Sequence, residues 1–290
     1  MSVQVLGLTI TLTLSAIAQS VSQVEIKPRD PQGNYVVRWR DERGVRRELL
    51  FMPGNKISPR IDVVVQGTAG SGYVYEFRIA NEKSARHKIY SCAIELMMPA
   101  RIAGHPIGWE PLQPSSIAPR AGWYKTGFVN DVPEGIAAGS SERGFRITTP
   151  NLPGVTDFKC RGNVDSSGLP PDLPVEVEQQ LEKLPVDEVV VVRTIGPVIE
   201  KEQESIPVLV RQIVRNYRVA IASSRLSNAS AIVAALDQAR EKAAGPPGEL
   251  RSALARVREL ITDSPDPWAM QLAAGLRECV TYALARLSQP

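Results

Sequence analysis

The sequence predicts an α+β protein in two parts, an antiparallel β-sandwich followed by a C-terminal antiparallel helical bundle. Three observations predict it. Between residues 35 and 165, short runs alternate apolar and polar residues at period two, as half-buried strands do. After residue 205 the apolar residues recur every three or four positions, as on one side of a helix. Between the two blocks the composition shifts to proline and acidic residues.

The elements follow in chain order. Residues Val5 to Ala18 carry no charge and are too few to span a bilayer, which takes about 20 residues. The run ends Ala16-Ile17-Ala18, the small-x-small pattern that a signal peptidase reads. Residues 1–18 are therefore read as an export signal, cleaved near Ala18 to leave Gln19 first in a periplasmic or extracellular protein. An uncleaved anchor or a buried first strand is the competing reading, because MSVQ carries no lysine or arginine. No other apolar run is long enough to cross a membrane, so no span is expected in the mature chain.

Residues 19–165 are read as the sandwich. YVVRWRDERGVRRELLF (35–51) alternates, turns at Asp41–Gly44 and returns, which predicts a hairpin. Strands are predicted at Ile61–Gln66, at Tyr73–Ala80 with Tyr73, Tyr75, Phe77 and Ile79 on one face, and at residues 89–97. WYKTGF, GFRITT and VTDFKCR add short β-favouring runs. GTAGSG (67–72) follows a strand, as a phosphate loop would. A phosphate loop opens a helix and closes on Lys-Ser or Lys-Thr, whereas YVYEFRIAN continues as a strand, so the loop reads as a turn.

Residues 166–205 read as a proline-rich, acidic, solvated connector. It holds a short helix in PVEVEQQLEKLP and one further strand in EVVVVRT that pairs back onto the sandwich. Residues 206–290 then read as four helices. GPPG and Asp266-Pro267 mark boundaries, and the short loops between the helices imply an up-and-down four-helix bundle.

Chemistry-bearing motifs are sparse. The chain has two histidines, His87 and His105, whereas a zinc site takes three or four ligands. No G-x-S-x-G, H-E-x-x-H or C-x-x-C occurs, so no catalytic residue, metal or cofactor is assigned. The net charge of +3 is small and the C-terminal arginines are interleaved with glutamates, so no nucleic-acid partner is expected. Trp109, Trp123 and Tyr124 flank the loop PLQPSSIAPR and are the candidate ligand-contact residues, able to stack on a sugar or anchor a protein. The competing reading packs both indoles into the core. Cys92 and Cys160 each alternate with polar neighbours and so face inward, where they either form a disulfide or remain buried thiols. Cys279 falls on the apolar stripe of the last helix.

The order YVYEFRIANEKS, GW, GIAAGSSERGF and LPGV resembles the sandwich regions of exported bacterial proteins of the surface-sorted, PEP-CTERM-like type. Tyr73, Tyr75, Asn81, Trp109, Gly135, Ile136, Gly139, Gly144, Phe145 and Pro153 carry the resemblance, over about residues 70–160. No sorting tail is read in ALARLSQP. AALDQAREKA and LARVREL resemble the short helical modules appended to secreted bacterial proteins. The resemblance implies a sandwich, an exported address and no catalytic residue. The function expected is a non-catalytic binding or structural module of the bacterial envelope or extracellular space, meeting a protein or glycan through sandwich loops. The alternative is a secreted hydrolase using loop carboxylates such as Glu95, Glu110, Asp131 and Glu134.

Overall fold

In the computed structural model, Tyr35, Val37 and Trp39 alternate with more exposed neighbours along one strand and bury themselves together with Val177 and Leu181. The model describes residues 24–27, 34–41, 43–51, 55–68, 72–96, 100–114, 120–129, 132–162, 173–184, 189–201 and 205–289. The segment read as an export signal lies outside these residues, as do positions 163–172 of the proline-rich stretch. The chain forms two units, one of residues 1–51 with 169–184 and one of residues 52–168 with 185–290.

The first unit holds β1 (Glu25–Ile26), β2 (Tyr35–Arg40) and β3 (Arg46–Phe51), antiparallel in that order, and helix α1 (Val175–Leu181). Asp41 fixes the β2–β3 turn: its Oδ1 accepts from the backbone N–H groups of Arg43 and Val45, at 3.0 and 2.9 Å. Gly44 supplies the positive φ of 75° that the turn needs. Two sequence readings are corrected here. The 35–51 hairpin belongs to this unit and not to the sandwich. Nor is the connector wholly solvated, because Val177 and Leu181, four residues apart on one helix face, complete the hairpin's core.

The second unit contains two larger sheets. One has the order β4 (Pro59–Thr68), β5 (Gly72–Asn81), β12 (Ser141–Thr149), β7 (Arg101–Gly104). The other runs β14 (Val190–Ile199), β13 (Leu152–Gly162), β6 (Ile89–Glu95), β9 (Arg120–Lys125), β8 (Trp109–Leu112). A short ribbon pairs β10 (Phe128–Val129) with β11 (Val132–Pro133), and every described pairing is antiparallel. The sheets meet face to face through aromatic rings. Phe77 of β5 lies 5.5 Å from Phe158 of β13 and 6.4 Å from Trp123 of β9, between ring centres. The glycine-rich stretch joins β4 to β5 in register, Thr68 opposite Gly72, and so closes a hairpin.

Helices α2 (Ile206–Ala222), α3 (Ala229–Lys242), α4 (Pro247–Leu260) and α5 (Pro267–Arg286) pack in sequence, and α5 returns to α2. They are not a separate module. The cores of the sandwich and the helices are continuous, with α2 and α5 packed on β13 and β14 and α5 also on β4. Asn216 of α2 makes the join: its Oδ1 accepts from Val155 N–H at 2.6 Å and its Nδ2 donates to Val155 carbonyl at 3.1 Å. In effect the carboxamide stands in for a neighbouring strand along this part of β13. The two-part layout expected from sequence is thus replaced by a sandwich and helices sharing one interior.

Candidate functional site

The β8–β9 hairpin carries the aromatic residues singled out above, and the pleat separates them. Trp123 and Trp109 lie on the inner face, each 1% exposed, against Phe145 of β12 at 5.4 and 5.0 Å between ring centres. Both indole N–H groups are satisfied, Trp123 by the Gly104 carbonyl at 3.2 Å and Trp109 by the Glu142 carboxylate at 2.5 Å. Neither ring can stack on a ligand, which corrects their assignment as contact residues. Burial of that much apolar ring area outweighs any exposed use.

Tyr124 points the other way. It is 39% exposed and donates its hydroxyl to Glu110 at 2.9 Å, directly across the register. Leu112 shares the outward phase of β8 with Glu110 and is 48% exposed. The crossing from β7 to β8 carries Ile107, 98% exposed, on a turn that Gly108 allows with φ 77°. Lys125 braces that turn: its Nζ donates to Ile107 carbonyl at 3.2 Å and sits 5.6 Å from the centre of the Trp109 ring. β8 pairs only with β9 among the described residues and is an edge strand beside these apolar side chains, though its Trp109 N–H is bonded to the Pro106 carbonyl and Pro111 has no N–H to offer.

Ile107 and Leu112 were missed by sequence reasoning, though both leave a signal. An apolar residue between proline and glycine in HPIGW sits on a turn, which has no interior. Leu112 is out of phase with the buried Trp109.

The remaining candidates resolve into structural roles. Cys92 and Cys160 are opposite each other in the β6–β13 register and face inward, but both are buried free thiols. Burial pushes the Cys92 thiol well above its ordinary range, and Cys160 beside it pushes it further. His87 is buried and accepts the Lys56 N–H on its Nδ1 at 3.0 Å, which places its proton on Nε2. Glu95 pairs with Lys159 at 2.5 Å and Glu110 with Tyr124, while Asp131 lies outside the described residues.

Three of the residues that carried the resemblance, Asn81, Gly135 and Pro153, have local physical explanations. Asn81 donates to the carbonyls of His87 and Ile136 at 2.8 and 3.0 Å and accepts from Ser58 N–H at 3.0 Å. A side chain at Gly135 would lie 2.3 Å from Ile89 carbonyl oxygen. The Pro153 carbonyl accepts from Tyr217 and Cys279.

No family model and no curated protein matches the chain. Among solved structures, an uncharacterized protein from Nocardia farcinica, described as having an immunoglobulin-like fold, matches at 16% identity with a TM-score of 0.28. That alignment covers 46% of this chain and 95% of the other. No helix among the described residues is long and apolar enough to cross a membrane.

Proposed function

We propose that the chain is an exported, non-catalytic binding module of the bacterial envelope or extracellular space, and that it engages a protein partner at the open edge of β8. One observation carries this reading: Ile107, Leu112 and Tyr124 are exposed together on an edge strand, the turn before it and its neighbour. A partner surface can pack on these apolar side chains, which supply the contact area and the specificity. Burial of both tryptophans leaves Tyr124 as the exposed ring of the three candidates, beside aliphatic Ile107 and Leu112, which favours a protein over a glycan. The uncharged N-terminal run and the resemblance to surface-sorted proteins support the exported address.

A photoreactive amino acid placed at residue 107, and at the exposed Val219 of α2 as control, tests the reading in the native organism. Discrete adducts at 107 and not at 219, weakened by Leu112→Asp or Tyr124→Ala, are the expected result. Identical patterns at both positions would remove the edge as a binding surface. Mass spectrometry of the extracytoplasmic fraction should find Gln19 as the first residue; Met1 retained in the cytosol would remove the exported address.

A further inference from the structure

Strands β6 and β13 are interior strands of their sheet, and Cys92 and Cys160 face each other across them in register. Both side chains point into the sandwich, at 2% and 0% exposure. A disulfide needs Cβ atoms about 3.5–4.5 Å apart. Facing Cβ atoms of an antiparallel pair are about 4.5–5.5 Å apart, and they are closest where the pair is not hydrogen-bonded. The type of pair therefore decides whether the two sulfurs can be joined.

Backbone contacts on both strands identify the type. On β6, the Glu95 carbonyl accepts from the Thr156 hydroxyl of β13 at 3.1 Å, so it points towards β13. Carbonyls of successive strand residues point to opposite edges, so the Cys92 carbonyl points away from β13, towards β9. A Cβ added to Gly122 of β9 would lie 3.0 Å from that carbonyl oxygen. On β13, Asn216 takes both the N–H and the carbonyl of Val155, which therefore face away from β14. The β13–β14 register is unbroken from Pro153 to Cys160, so the backbone groups of Cys160 face β14. Each cysteine thus turns its backbone groups away from the other. The pair is not hydrogen-bonded, and its Cα atoms are about 4.5 Å apart, inside the range of about 4.4–6.8 Å that a disulfide spans.

Cys279 is no competitor. Its thiol donates to the Pro153 carbonyl at 3.0 Å, at the opposite end of β13 from Cys160, roughly 23 Å away at about 3.3 Å per residue.

We propose that Cys92 and Cys160 form a cross-strand disulfide, that the bond is made before the two sheets close, and that the folded sandwich keeps the redox state in which it folded. The reaction is exchange with a small disulfide such as glutathione disulfide. One cysteine thiolate attacks a sulfur of glutathione disulfide and releases a glutathione thiolate. The other cysteine thiolate then attacks the protein sulfur of the mixed disulfide and releases the second glutathione. The chain gives up two electrons and two protons, and one glutathione disulfide becomes two glutathione molecules. Each step needs access to a protein sulfur, which the closed sandwich denies. Ile94 and Phe158, both fully buried, continue the same inward faces beside the cysteines. A chain that folds reduced therefore keeps the two buried thiols described above.

Refolding the unfolded, reduced full chain into a mixture of glutathione and glutathione disulfide tests the proposal, with peptide mass spectrometry under non-reducing conditions as readout. The expected product carries a Cys92–Cys160 linkage and a free Cys279, and Cys279→Ala should leave that linkage unchanged. Reduced protein that is already folded should oxidise in the same mixture at least about tenfold more slowly than refolding protein. Circular dichroism matching the reduced protein shows that the refolded chain is native. A native refolded chain without the Cys92–Cys160 linkage, a linkage through Cys279, or folded protein oxidising as fast as refolding protein would each overturn it. None of these results bears on the edge of β8 or on the exported address, so the readings fail separately.

Discussion

Tyr217 of α2 and Gly275 of α5 cross so closely that a Cβ added to the glycine would lie 2.5 Å from the tyrosine hydroxyl oxygen. The hydroxyl cannot retreat freely, because it donates to the Pro153 carbonyl at 3.0 Å in a fully buried site. Gly275→Ala gains about 1 kcal/mol of helix propensity but meets an overlap costing about 1–3 kcal/mol, so net destabilisation is expected. Tyr217→Phe alone should cost about 1 kcal/mol. In the Phe background the overlap disappears, and Gly275→Ala should become neutral or stabilising. Urea denaturation of the four proteins checks the coupling.

Asn81 ties three backbone groups at one end of the sandwich. Asn81→Ala strands the Ser58 N–H and weakens two carbonyls, so a loss of at least about 2 kcal/mol is expected. Asn81→Asp replaces the two donors with a carboxylate facing both carbonyls and should be no better. Equilibrium unfolding reads both. A change under about 0.5 kcal/mol would mean water replaces the amide.

Burial pushes the phenols of Tyr73, Tyr75 and Tyr217, and the thiols of Cys92, Cys160 and Cys279, well above their ordinary values of 10.0 and 9.0. The folded state therefore holds protons that the unfolded chain releases at high pH. Stability from these groups is fully present below about pH 9 and falls as pH rises past the unfolded values. Denaturant midpoints at pH 7, 9 and 10.5 should decline in that order, less steeply in Tyr75→Phe. The same burial should keep all three thiols unreactive toward iodoacetamide in the native protein and reactive once it is unfolded.

In the first unit the described core is small, five buried residues, and two of them come from α1. Leu181→Ala should cost about 2–4 kcal/mol. Hydrogen exchange should then accelerate across Tyr35–Phe51 while the amides of β5 and β12 stay protected. Equal acceleration in both regions would show that the two units unfold together.

Strand and helix identity were legible because they follow from local period. Tyr73–Ala80 lies within β5, residues 89–97 contain β6, and all four C-terminal helices appear where the apolar stripes put them. The glycine-rich turn was legible too, since the alternation after it excludes a helix. The candidate site was half legible. Tyr124 is exposed, on strand β9 and not on a loop, but Trp109 and Trp123 are consumed by contacts with Phe145 that no nearby residue announces.

By itself the sequence determined the alternation of the strands, the stripe of each helix and the reversal between β4 and β5. Tertiary structure alone decided that the helices enter the sandwich's interior, through Asn216 against Val155 and Tyr217 against Pro153. It alone brought Val177 and Leu181 to the hairpin more than a hundred residues earlier. The physical reason is range. Periodicity tells each element which face must leave water, and that demand can be met by any apolar surface of the right shape. Which surface meets it depends on contacts between residues far apart in the chain, and those leave no local pattern.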